Sequence, residues 1–281
     1  MHSPSITLTA LTTLLATVSS HGLVTSIQGS NGVTMPGLSV ADGTPRDCSS
    51  NGCGSQADTS IIRDRELGTE KASALGRTQG NGPVDASVMI ANFMGSGGGT
   101  DVPTNKGAES SSGVEDDLSA LNNKRGILSD LFSSFGGGGG GGKGKGTKSE
   151  QTVETAMAKS AGQGSKSGLP TCSDDGSITM TFRQINQDGA GPMTADIDGT
   201  SGGTDPDAFQ RAEVTQDMPA GMTCDATVGG VDNVCVVRVR NGALAGPFGG
   251  SAAFTMSSVA KKRALMKRAE GEVKKQNRRL R

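Results

Sequence analysis

The chain contains no tryptophan, no tyrosine and only 7 phenylalanines in 281 residues. Large aromatic side chains dominate most protein cores and most flat sugar-binding faces. Their scarcity excludes an aromatic platform and predicts a modest core with much loop. Histidine is nearly as rare, occurring only as His2 and His21. The cysteines do not fall at the two-residue spacing of zinc sites, and there are no histidine partners for them. Beyond the first twenty residues no stretch approaches the roughly 20 apolar residues of a membrane-spanning helix. Basic charge is also missing from the body of the chain. Ala260–Arg281 holds ten of the 27 Lys and Arg and two of the 28 Asp and Glu, which leaves residues 21–259 with 17 basic and 26 acidic side chains, a net of −9. A body of that sign is unsuited to nucleic acid.

What is present starts at the N-terminus. Met1–Ser20 has no Asp, Glu, Lys or Arg, and its centre, Ile6–Val18, is apolar with interspersed threonine. That pattern predicts a secretory signal peptide cut before His21, with the small residues Val18 and Ser20 at the cleavage positions. The mature chain is therefore expected to be secreted and extracellular. Oxidising surroundings favour disulfides, and all five cysteines lie beyond the cut, at Cys48, Cys53, Cys172, Cys224 and Cys235. The local pairings Cys48 with Cys53 and Cys224 with Cys235 are expected, which leaves Cys172 over.

Four segments follow. Residues 21–103 are dense in turn residues; Leu23–Ile27 and Val88–Phe93 read as strands, and Asp47–Gly82 reads as a polar loop tied down by a disulfide. Residues 104–168 read as a low-complexity insertion. It contains a short amphipathic helix at Gly126–Phe135 and the unbroken glycine run Gly136–Gly142, which behaves as a linker. Residues 169–259 carry the clearest signal. Ile178, Met180 and Phe182 alternate with polar neighbours as in a half-buried strand. Met193–Ile197 and Val234–Val239 read as further strands, Ala252–Met256 as a weaker one, with turns at Asp188-Gly189 and Asn241-Gly242. Phe248, in the glycine-rich turn before the last strand, reads as a core plug. Residues 260–281 form a basic, helix-favouring tail with dibasic pairs at Lys262-Arg263, Lys267-Arg268 and Arg278-Arg279. Short strands between glycine-rich turns predict an all-β sandwich, immunoglobulin-like or of the kind seen in lytic polysaccharide monooxygenases (LPMOs), with long loops and the Gly-rich insertion. Residues 21–103 and 169–259 are expected to build one sandwich together.

Several phrases are distinctive. His21-Gly22 followed by SIQGSNGVTM (26–35) and PGLSVADGTP (36–45), RDCSSNGCGS (46–55), GRTQGNGPVDA (76–86), QINQDGAGP (184–192) and NVCVVRVRNGALAGPFGGSAAF (233–254) resemble the Egh16-like family, the appressorium-associated secreted virulence factors of pathogenic fungi. The resemblance covers most of the first and third regions but neither the insertion nor the tail. It implies a secreted factor made during host penetration and does not supply a reaction. It also implies that cysteines found in some members at the positions of Ala195, Val239 and Ser251 are missing from this chain.

His21 carries the one sharp chemical hypothesis. An N-terminal histidine offers copper its α-amine and its imidazole together, the arrangement used by lytic polysaccharide monooxygenases. Such a site needs a second imidazole, and none remains once His2 leaves with the signal; a carboxylate such as Asp188 would have to complete it. The acids Asp174, Asp175, Asp188, Asp196 and Asp198 cluster in sequence as paired carboxylates could, but acidic turns between strands produce the same pattern. The expected function is a virulence-associated factor at the host surface or cell wall. It would bind wall polysaccharide, chitin included, or a host surface protein, with no nucleic acid and no transmembrane segment. The alternative is a copper-dependent polysaccharide monooxygenase-like protein using His21.

Overall fold

The computed structural model describes residues 21–49, 53–97, 102–105, 152–186, 192–212, 218–243 and 246–279. The expected signal peptide, the helix at Gly126–Phe135, the glycine run and the Asp188-Gly189 turn lie outside the described residues.

Eleven strands are described: β1 Gly22–Gln28, β2 Thr34–Pro36, β3 Ser60–Ile61, β4 Arg77–Thr78, β5 Gly82–Pro83, β6 Thr179–Gln184, β7 Thr194–Asp198, β8 Gln210–Ala212, β9 Ala226–Val228, β10 Val231–Arg240 and β11 Phe248–Thr255. They form two antiparallel sheets. The smaller has the order β2-β1-β6; the larger runs β5-β4-β3-β11-β10-β7-β8, with β9 also pairing β10. The fold is thus an all-β sandwich, and both halves of the sequence build it: β1 pairs β6 across the insertion, and β3 pairs β11.

Each central strand has a readable cause. Val234–Val239 is buried at every position, as a near-continuous valine run must be when both faces of a sheet are covered. β11, the weaker reading, sits at the centre of the larger sheet because its glycines and alanines let the smaller sheet approach. A Cβ on Gly250 would lie 2.7 Å from Val24 N. Leu38 N donates to Ser251 O at 2.8 Å and ties the layers together. In β1 the alternation breaks, with Leu23, Val24 and Ile27 all buried, because a bulge between Val24 and Ser26 shifts the register.

Two expectations are corrected. Val88–Phe93 is not a strand but part of helix α1, Ala86–Met94. Asp85 caps it, accepting from Ser87 N at 2.7 Å, and Gly95 ends it in the left-handed conformation at φ 78°. The buried Met89, Ile90 and Phe93 follow helical spacing, which outweighed the β-branched composition. Nor is Asp47–Gly82 simply a tethered loop. It supplies β3 and β4, and Ala57, Ile61, Ile62 and Leu75 are fully buried; two-residue strands are too short to show periodicity.

Residues 152–168, read from the sequence as part of the insertion, carry two short helices. Helices α2, Ala156–Ser160, and α3, Gly164–Ser167, pack beside α1. The loop Asp42–Arg46 contacts the described residues on either side of 106–151. Asp42 bridges to Thr104, Pro45 bridges to Val153, and the Asp42 carboxylate accepts from Met157 N and Ala158 N at 2.9 and 2.8 Å. The tail forms helix α4, Ser258–Arg279, resting on the loops at Asp174–Gly176 and Met218–Met222.

Candidate functional site around His21

His21 stands at the entrance to β1, where its carbonyl accepts from Ile185 N at 2.9 Å. The next residue must be small, since a Cβ on Gly22 would lie 2.5 Å from the Phe182 ring. His21 is only 3% exposed. Its ring lies against Phe248, with centroids 4.0 Å apart and planes inclined by 33°. Phe248 is fully buried, and its N–H donates to Asn241 Oδ1 at 3.0 Å. The core plug expected at Phe248 is therefore also the floor under His21.

Two His21 nitrogens face one side chain. The main-chain nitrogen donates to Asn186 Oδ1 at 2.8 Å, and Nδ1 lies 3.3 Å from Asn186 Nδ2. With the Asn186 amide as donor, Nδ1 accepts and the ring proton sits on Nε2. Asn186 was not singled out by sequence reasoning; a residue 165 positions away gives no local signal. The main-chain nitrogen and Nδ1 turn the same way, the orientation that a two-nitrogen metal chelate requires. They do not fit the three-nitrogen copper brace of a monooxygenase, because no second imidazole exists beyond His2. Among the described residues no three His, Cys, Asp and Glu side chains converge as a metal site.

The clustered acids are not brought together as an acid–base pair. Asp174 and Asp175 lie in the turn before β6. Hydrogen bonds from Ser173 and then Ser177 hold the Asp175 carboxyl down to about 2. Asp196 bonds Arg238 Nη2 at 3.3 Å, and Arg211 stands 3.4 Å away on the other side. Asp198, with no exposure, accepts from Thr200 N, Ser201 N and Gly203 N at 2.8, 2.9 and 2.7 Å. Burial alone would raise its pKa, but these bonds and that from the Ser201 hydroxyl outweigh burial, and the net shift is downward. Asp188 lies outside the described residues.

Other buried charges form closed groups that the sequence did not announce. Arg46 donates to both Asp58 oxygens, at 3.0 and 2.6 Å, and to Glu154. Glu66 accepts from Arg63 at 3.1 Å and Arg77 at 2.9 Å. Arg238 also donates to Ala74 O at 2.6 Å and lies 4.1 Å over the Phe209 ring. The disulfides Cys48–Cys53 and Cys224–Cys235 are formed, and Cys172 is a buried thiol. Val239 stands opposite Ala195 and Gly250, diagonal to Ser251, at the centre of the larger sheet.

No solved structure matches the chain significantly. The chain is 48% identical over 274 residues to the appressoria-specific virulence factor GAS2 of Pyricularia oryzae, covering 88% of this chain and 87% of that protein. It is 33% identical over 129 residues to the appressoria-specific virulence factor GAS1 of Pyricularia oryzae (strain 70-15 / ATCC MYA-4617 / FGSC 8958), covering 38% of this chain and 48% of that one. The profile of the Egh16-like virulence factors matches residues 19–249, from the approach to His21 to the start of β11. By that match and by the extent of its identity to GAS2, the chain belongs to the Egh16-like virulence factor family.

Proposed function

We propose that this protein is a secreted virulence-associated factor that acts at the host surface or cell wall during penetration by binding, with wall polysaccharide as the first partner class and a host surface protein as the second. The observation that carries the reading is the extent of identity to an appressoria-specific virulence factor. The interior is consistent with it. The buried charges at Arg46, Glu66, Asp196 and Asp198 are each matched by arginines, carboxylates or backbone amides inside the fold. They stabilise long loops and are not directed at a shared reacting atom. The test is co-sedimentation of the secreted protein with chitin, cellulose and host wall preparations. Saturable retention on one of them supports polysaccharide binding. Retention on none, with capture by host surface protein, moves the assignment to the second class.

The alternative is copper at a processed His21, supported by two nitrogens turned toward one point. Titration calorimetry with copper on protein whose N-terminus is verified as His21 separates the two readings. Tight one-site binding that is lost in His21→Ala favours copper. Absence of binding leaves the non-catalytic reading.

A further inference from the structure

Helix α4 lies beyond residues 19–249, which the family profile matches, and it has two unlike sides. One side holds it to the body. Ala260 and Ala264 are buried, Lys261 Nζ donates to Asn233 Oδ1 at 2.8 Å, and Arg263 donates to Asp174 O at 2.8 Å. Arg268 closes the contact with bonds to Gly221 O at 3.1 Å and Thr223 Oγ1 at 3.0 Å. After Arg268 every residue except the half-buried Gly271 is exposed through Arg279, and Lys275 pairs within the helix, with Glu272.

The other side faces solvent and carries a sparse apolar line among polar residues. Val259, Met266 and Val273 are seven residues apart, so they form a line along the helix, with Leu265 beside it. They are 44%, 59%, 57% and 46% exposed, and they are four of the five exposed large hydrophobic residues among those described. At α-helical pitch this line lies roughly opposite Ala260 and Ala264. Around it Ser258–Arg279 carries nine Lys and Arg against two Glu, on a protein whose body is acidic.

We propose that α4 is a docking helix for the surface of an anionic phospholipid bilayer. It would lie in the plane of the headgroups with Leu265, Met266 and Val273 inserted and the basic side chains that are not bonded to the body on lipid phosphates. An apolar line within a strongly basic helix is the pattern of interfacial helices. Basic side chains near such a surface are attracted to it, and salt screens that attraction. No described helix is long and apolar enough to cross a membrane, so the contact is with the surface. A second copy is disfavoured as occupant because two such helices would oppose like charges. A polyanionic polysaccharide would use the charge but leave the apolar line in water.

The test is flotation of the full secreted chain with phosphatidylcholine vesicles, with and without phosphatidylserine, at low and high salt. Binding is expected only with phosphatidylserine and is expected to weaken at high salt. Met266→Glu/Val273→Glu and Lys274→Glu/Lys275→Glu are exposed changes; each is expected to lower partitioning roughly tenfold or more with the fold unchanged by circular dichroism. No binding to either vesicle overturns the proposal, as does binding that both double variants leave intact. So does a lipid-free dimer that Met266→Glu/Val273→Glu dissociates, which would assign the line to a second copy. Equal binding to polygalacturonate that the same variant leaves unchanged would assign the charge to polysaccharide and also overturn it.

Discussion

Arg46 donates from Nε and Nη2 to one oxygen of Glu154, 108 residues further along the chain, at 3.0 and 2.9 Å. Both side chains are nearly inaccessible, at 1% and 6% exposure. The other Glu154 oxygen accepts from Thr155 N and Ala156 N at 3.0 Å each, so one carboxylate joins the Asp42–Arg46 loop to the start of α2. Glu154→Ala leaves Arg46 paired with Asp58 but takes two acceptor contacts from its guanidinium and the acceptor from two backbone amides, at a cost of about 1–3 kcal/mol. Glu154→Ala is therefore expected to lower the melting temperature strongly in differential scanning calorimetry, whereas Glu272→Ala, which breaks an exposed pair, changes it little.

Asp198 gives a pH prediction. Its folded pKa lies below the ordinary value of 3.8. The stability it contributes is thus fully present above that value and is lost as pH falls through the folded pKa. Asp198→Asn removes the charge and places an amide donor against backbone donors, at a cost of about 1–3 kcal/mol. Urea titrations are expected to show a shallower acid loss of stability for Asp198→Asn than for the parent chain.

The cysteines predict a labelling pattern. Burial pushes the Cys172 thiol up, despite a hydrogen bond from the Ser257 backbone, so iodoacetamide is expected to leave the native protein unmodified and to add one group after unfolding without reductant. Cys224→Ala/Cys235→Ala removes a bridge between two buried positions and is expected to reduce stability by about 2–4 kcal/mol. Two or more labelled thiols in the unfolded, unreduced parent would contradict the pairing.

Gly37→Ala tests the close approach of the chain leaving β2 to its neighbour β1. The new methyl would meet Val24 O, a backbone atom with little freedom to move. Overpacking of this kind costs about 1–3 kcal/mol. Gly271→Ala, in open space on α4, is expected to stabilise that helix slightly.

The strands were legible where a pattern was long. Val234–Val239 is carried by a run of valines, and Thr179–Gln184 by alternation. Short strands were not: Ser60–Ile61 and Arg77–Thr78 take their conformation from neighbours in the sheet rather than from their own residues. Val88–Phe93 misled through its β-branched residues, although Asp85 and Gly95 marked a helix on either side. At the candidate site, His21 and Phe248 could be picked out singly, as the first residue after the expected cut and as a bulky residue among glycines. Their contact could not, and neither could the partner Asn186. The arginine–carboxylate groups were invisible for the same reason: pairing between residues far apart in sequence is a property of the fold.

The loop Asp42–Arg46 contacts Thr104 through Asp42 and Val153 through Pro45. The Asp42 carbonyl accepts from Asn105 N, and its carboxylate accepts from Met157 N and Ala158 N. A single side chain and its own carbonyl thus fasten two stretches that are far apart in the chain. Whatever loosens Asp42 loosens the start of α2 and the segment at Thr104 together.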